Sequence, residues 1–109
     1  HFQDKAPSNA AFTVSGNYSD SKGSATVNGT TYTTCLKIES TTEIRFSVSK
    51  PMLLTLVFGD GEVASIKING TAYTSTSSIL TQTVEAGEIV LTKKNTGNLY
   101  YISLSEVSQ

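Results

Sequence analysis

Two Asn-Gly dipeptides, Asn28-Gly29 and Asn69-Gly70, each sit between short runs of Thr, Val, Ile, Ala and Tyr. A two-residue type I′ turn needs positive φ at both central residues, and Asn followed by Gly supplies it at least cost. The twist of that turn matches a pair of antiparallel strands, so each dipeptide predicts a hairpin. The arms are Ala25-Thr26-Val27 with Thr31-Tyr32-Thr33, and Ser65-Ile66-Lys67-Ile68 with Ala72-Tyr73-Thr74. The first hairpin's second arm is expected to run on towards residues 36–39.

The rest of the chain follows the same strand grammar. Glu43-Ile44-Arg45-Phe46-Ser47-Val48 alternates with a period of two, which sends Ile44, Phe46 and Val48 to one face. Residues 52–58 are apolar on nearly both faces and are bounded by Pro51 and Gly59, which reads as a central strand covered on both sides. Shorter strands are expected at 12–15, 79–84, 89–94 and 99–104, with 18–23 as a polar loop. Nine or ten short strands at regular spacing, with no helical period, predict an all-β fold, an antiparallel β-sandwich of jelly-roll type. Residues 1–11 read as a lead-in or linker, and 12–109 as one domain. The opening His1-Phe2-Gln3 reads as the cut end of a larger protein.

Composition narrows the function by exclusion. A net charge of −1 argues against a nucleic-acid binder or a polybasic membrane anchor, and no apolar run approaches membrane-spanning length. The single Cys, Cys35, has no Cys or His at ligand spacing, and the one His is residue 1, so neither a metal nor another cofactor is expected. The same shortage removes Ser-His and Cys-His nucleophile pairs. Asp20, Asp60, Glu62 and Glu85 sit at turns or strand ends, outside any motif for paired-carboxylate chemistry. Gly59-Asp60-Gly61-Glu62 is a poor match to a calcium loop. No catalytic residue is expected. The Asn-Gly-Thr triplets at 28–30 and 69–71 and Asn17-Tyr18-Ser19 are formal glycosylation acceptors, better explained as turn chemistry.

What remains is the placement of the lysines. Thr33-Thr34-Cys35-Leu36-Lys37-Ile38-Glu39-Ser40 alternates, with Leu36 and Ile38 towards a core and Cys35, Lys37 and Glu39 on the other face. Lys22 lies in a loop beside Gly23, and Lys93 ends a strand just before a Gly-containing turn. Lys94, adjacent in sequence, should face the other way. Lys5, Lys50 and Lys67 have ordinary solvent-facing explanations. Taken alone, Lys37 and Glu39 also read as a solvated pair.

Several blocks together resemble one family. They are Ser-Lys-Gly at 21–23, Val-Asn-Gly-Thr-Thr-Tyr at 27–32, Thr-Thr-Cys-Leu-Lys-Ile-Glu-Ser at 33–40 and Leu-Thr-Leu-Val-Phe at 54–58. The closing run Ala-Gly-Glu-Ile-Val-Leu-Thr-Lys, followed by Leu-Tyr-Tyr-Ile-Ser-Leu, belongs with them. Over residues 12–104 the chain resembles carbohydrate-binding module family 77, the pectin-binding modules attached to pectate lyases. The resemblance implies a β-sandwich that binds homogalacturonan bearing few methyl esters through lysines rather than an aromatic platform. The family's basic positions fall on Lys22, Lys37 and Lys93, expected to converge on one face. Glu39, Arg45, Lys94 and Tyr18 complete the candidate set; Arg45 either extends the basic surface or pairs with Glu43 or a neighbour.

The chemistry of the ligand agrees with that expectation. Polygalacturonate carries a carboxylate on every sugar, and lysine ammoniums answer it with permanent charge and three donors each. The implied partner is an acidic plant polysaccharide and the implied setting extracellular, with the module a monomer tethered to a pectinolytic enzyme. The alternatives are an adhesion or structural domain of a cell-surface protein, and a small lyase using a lysine or Arg45 as base.

Overall fold

A computed structural model of the chain describes residues 12–27, 29–59 and 61–106. The lead-in 1–11 with Lys5, and the turn residues Asn28 and Asp60, lie outside the described residues. Among those described there are twelve strands and no helix. They are β1 (Thr13–Ser15), β2 (Asn17–Ser19), β3 (Ala25–Val27), β4 (Thr30–Tyr32), β5 (Cys35–Ile38) and β6 (Glu43–Val48). The chain continues with β7 (Met52–Phe58), β8 (Ser65–Ile68), β9 (Thr71–Thr74), β10 (Ile79–Val84), β11 (Gly87–Lys93) and β12 (Gly97–Glu106).

Two five-stranded sheets face each other, in the orders β1-β6-β11-β8-β9 and β10-β7-β12-β5-β2, with every pair antiparallel. Each contributes its inward apolar row to one core: Ile44, Phe46, Ile66, Ile89 and Leu91 from the first, Leu36, Ile38, Leu54, Leu56 and Phe58 from the second. The chain changes sheet at nearly every connection, as the sandwich of jelly-roll type predicted from the sequence requires.

The predicted hairpins form. At β8–β9, Asn69 has φ 50° and Gly70 φ 87°, the two positive values the sequence called for. Asn69 also fastens the turn to β11: its backbone N–H donates to the Val90 carbonyl and its Oδ1 accepts from the Val90 N–H, both at 2.8 Å. Its side chain is thus committed to structure.

Three expectations need correction. The 18–23 segment is not all loop, because Asn17–Ser19 pairs with β5 as the edge of the second sheet. The first hairpin's second arm stops at Tyr32. After Thr33 and Thr34 the chain enters the second main sheet, whereas β3 and β4 form a small sheet of their own. That hairpin packs over the outer face of the second sheet, where Ala25 covers Cys35, Val57 and Tyr100. Finally, β7 is covered on both sides only near its end. Leu54, Leu56 and Phe58 are in the core and Val57 lies under the hairpin, but Leu53 and Thr55 are half-exposed.

Gly16 stands where the chain leaves β1 for β2, with φ 148°. A Cβ there would sit 3.1 Å from Thr42 Oγ1 and 3.2 Å from Leu36 Cδ1. Gly16→Ala is therefore expected to cost about 1–3 kcal/mol through backbone strain and overpacking. Gly70→Ala, where an added Cβ meets nothing within 4 Å, carries the strain term alone, about 1–2 kcal/mol. Urea unfolding of both variants checks the difference; equal losses would mean that crowding at Gly16 relaxes freely.

Candidate functional site

Lys37 owes its position to its neighbours on β5. Leu36 and Ile38 are essentially fully buried in the main core, so Cys35 and Lys37 must project from the outer face of the second sheet. Register then builds a row across three strands, because directly opposed residues share a face. Asn17 of β2 and Asn98 of β12 both lie opposite Lys37. The β3–β4 hairpin covers this face only as far as Cys35, which is completely buried, and leaves Lys37 half-exposed next to it.

Glu39 completes the cluster just beyond the end of β5. It accepts a hydrogen bond from Asn17 Nδ2 at 3.0 Å and lies 3.5 Å from Lys37 Nζ, each charged side chain being 34% exposed. The Asn17 hydrogen bond holds the Glu39 carboxyl below its ordinary value; burial opposes it, and the positive charges of Lys37 and, least, Lys22 add to the lowering. Lys22 is exposed in the loop that leads into β3. Its loop crosses the same face, since a Cβ on Gly23 would lie 3.6 Å from the Tyr100 hydroxyl.

The connection below is clipped by a buried threonine. Thr42 Oγ1 donates to the Lys37 carbonyl at 2.6 Å and accepts from the Glu39 N–H at 2.9 Å, while the Thr42 N–H donates to the Glu39 carbonyl at 3.0 Å. Three bonds from Thr42, two to Glu39 and one to Lys37, fix where Lys37 and Glu39 leave the sheet.

Lys93 stands elsewhere. It ends β11 in the first sheet, opposite Ile66 of β8, and shares the inward parity of buried Ile89 and Leu91. The fold does not place it with Lys37 on the outer face of one sheet. It lies at the end of the sandwich from which the chain crosses over to enter β12 at Gly97, beside Ile38. Lys94, exposed, follows the last residue of β11.

The remaining candidates separate. Arg45 is on the outer face of the first sheet, where it bonds Glu43 and, at 3.2 Å, Glu88; pairing, not extension of the Lys37 surface, is its role. Tyr18 lies opposite Leu36, so it turns inward and packs against the main core, where burial raises its pKa. It therefore does not share the Lys37 face. Tyr32 and Tyr101 pack on each other at the rim of the hairpin, with ring centroids 5.6 Å apart. Lys67 points outward from the first sheet, between the inward Ile66 and Ile68. Lys50 pairs with Glu106, which lies about 27 Å along β12 from Asn98 at the usual rise per strand residue.

Asn17 and Asn98 each follow a glycine, a pattern that in sequence alone reads as a turn. Both are strand residues, and only the pairing register shows that they flank Lys37. Glu62, read as a turn acid, reaches back: its Oε1 accepts from the Gly59 N–H at 3.2 Å and its Oε2 from the Asn98 N–H at 3.3 Å. Two surface clefts, one lined by Ile68, Tyr73 and Val84 and the other by Arg45, Phe46 and Glu88, contain none of the three lysines.

Comparison with known proteins adds to this geometry. The family model described as carbohydrate binding module 77 matches residues 1–102. A structure solved in work on the Ruminococcus flavefaciens cellulosome and its expansion in glycan recognition is 36% identical, with a TM-score of 0.90, over 99% of this chain and 92% of that one. The catalytic unit of a thermostable GH87 alpha-1,3-glucanase from Streptomyces thermodiastaticus overlaps at 13% identity with a TM-score of 0.41, over 94% of this chain and 27% of that one, too slight to support any argument. No curated protein matches the chain.

The lowered Glu39 pKa has a consequence for stability. A carboxylate whose folded pKa lies below its unfolded value adds stability above the unfolded value, near 4.3, and loses it as pH falls through the folded one. Glu39→Gln keeps an acceptor for Asn17 but cannot titrate. Its melting temperature is expected to fall less steeply than that of the parent as pH drops from about 5 to 3. Parallel curves would show that Glu39 has the same affinity for protons in both states.

Proposed function

The chain belongs to carbohydrate-binding module family 77, and from that premise we propose that it binds demethylated homogalacturonan on the outer face of its second sheet. It is a carbohydrate-binding module rather than an enzyme. The observation that carries the finer reading is the Lys37–Glu39 pair on an open sheet face flanked by Asn17 and Asn98, with the Lys22 loop crossing the same face. Each uronate of the polysaccharide presents a carboxylate to these ammoniums.

Glu39 does not oppose this reading. Its ion pair with Lys37 is one-third exposed and therefore weak, so Lys37 is readily shared with an arriving uronate. Lys93, at the end of the sandwich, meets a sugar further along the chain. The 36%-identical structure from the glycan-recognition work on a cellulosome supports a modular setting outside the cell. There the module would hold an attached pectinolytic enzyme near its substrate, raising the local concentration.

The lysines should rank by position. Lys37→Ala is expected to abolish retardation in native gels containing polygalacturonate, with stability changed by less than about 0.5 kcal/mol. Lys22→Ala and Lys93→Ala weaken it, Lys93 less because it stands off the sheet face, and Lys67→Ala and Arg45→Ala leave it unchanged. Retardation of the parent protein only by a neutral glucan would overturn the pectin reading.

Ligand charge gives an independent check. Methyl esterification neutralises each carboxylate, and salt screens exposed charges over about 8 Å at physiological ionic strength. Affinity measured by calorimetry should fall as either rises. Indifference to both would mean that hydroxyl contacts, not carboxylates, are recognised.

A further inference from the structure

The side chain beside Lys37 on β12 is held in one orientation from below. The Asn98 backbone is clamped at both ends, its N–H donating to Glu62 Oε2 at 3.3 Å and its carbonyl accepting from the Gly59 N–H at 3.2 Å. Its side-chain Oδ1 accepts from the buried Cys35 Sγ at 3.8 Å. Burial pushes the Cys35 thiol up, so at neutral pH it is protonated and acts as a donor, which an amide answers with its oxygen and not with its NH2. The amide nitrogen is left over. Among the described residues Nδ2 has no protein acceptor, and it is not one of the buried unpaired atoms. Asn98 is half-buried on the Lys37 row, and this nitrogen is on the side of the amide away from Cys35, next to an ammonium of the same donor character.

We propose that Asn98 is a ligand-contacting residue of this module: its Nδ2, turned outward by the Cys35 thiol beneath it, donates to an oxygen of the sugar whose carboxylate Lys37 holds. Cys35 is then a positioning residue, acting through Asn98 and never touching sugar. The row also gives the polysaccharide a direction. Asn17, Lys37 and Asn98 follow one another across adjacent strands about 4.8 Å apart, a spacing comparable to the length of one pyranose ring. A chain laid along the row crosses β2, β5 and β12 at right angles and meets one strand per ring.

The inference rests on the reading that a uronate chain binds at Lys37, so Lys37→Ala is the internal control. The decisive variant is Asn98→Asp, which is isosteric and still accepts from Cys35 and through its backbone from Gly59. It removes the donor and puts a negative charge in its place. Calorimetry with trigalacturonate should show about a five-fold loss for Asn98→Ala, the scale of one hydrogen bond between neutral groups, and a larger loss for Asn98→Asp. For Asn98→Asp the loss should shrink with the methyl-esterified trisaccharide, a selectivity change that a purely structural role would not produce. Cys35→Ala, which frees the amide to turn, should weaken binding about three-fold.

A second measurement needs no variant. The Asn98 side-chain NH2 resonances of the parent protein should shift on titration with trigalacturonate. Binding by Asn98→Asp within two-fold of the parent, or unmoved NH2 resonances, would overturn the role of Asn98 provided Lys37→Ala still abolishes binding. If Lys37→Ala binds normally, or the parent does not bind trigalacturonate, the uronate reading falls and this inference falls with it.

Discussion

Leu36 and Ile38 decide where the chemistry of this module can be. Both are buried to within about a percent, and they occupy alternate positions on a four-residue strand. Fully burying side chains of this size is worth about 1.5–3 kcal/mol each, whereas the ion pair of Lys37 with Glu39 lies at the surface and is weak by comparison. A one-residue slip would bury the lysine and expose both apolar groups, so the core sets the register and Lys37 takes the outer face as a consequence. Because β2 and β12 register on β5, the same constraint places Asn17 and Asn98 beside it.

That outer face is divided in two. Towards the β3–β4 hairpin it is dry, with Cys35, Val57 and Tyr100 under Ala25. Past Cys35 it is open, and the charged and amide side chains begin there. A register shift between Leu99 and Tyr101 makes the division possible: with one extra residue in β12, Tyr100 and Tyr101 both join the hairpin's apolar cluster, although regular alternation would send them to opposite faces. The polar row thus lies against a small apolar roof whose underside fixes the Asn98 amide.

Much of this was legible in the sequence because it is local. The turn at Asn69-Gly70 and the two faces of β5 and β6 each follow from a few consecutive residues, and the all-β class follows from their repetition. What was not legible depends on partners far along the chain. Nothing in Asn17-Tyr18-Ser19 reveals that it pairs with residues 35–37, and that pairing turns Tyr18 inward and Asn17 outward. Thr33-Thr34 looks like continuous strand, since threonine suits one, yet the chain leaves its hairpin for another sheet there. The lysine of β11 was placed correctly on its strand, but sheet membership is a matter of topology, and no local pattern distinguishes one sheet from the other.

The use of lysines on a flat sheet face also accounts for the part played by the neutral and acidic residues around them. A lysine alone on a sheet is a mobile charge with several rotatable bonds, and ordering it on binding costs about 0.5–1.5 kcal/mol. Here the backbone beneath Lys37 is fixed by the Thr42 clip, and its ammonium is drawn towards Glu39, itself anchored by Asn17. Glu39 therefore restricts Lys37 at little electrostatic expense, because an exposed pair is weak and remains open to a second anion. On the proposed reading the choice of residue matters, since every pyranose presents an apolar face to an aromatic platform, whereas an ammonium would distinguish a uronate from a neutral sugar by charge. The two tyrosines best placed to form such a platform, Tyr32 and Tyr101, are engaged with each other instead.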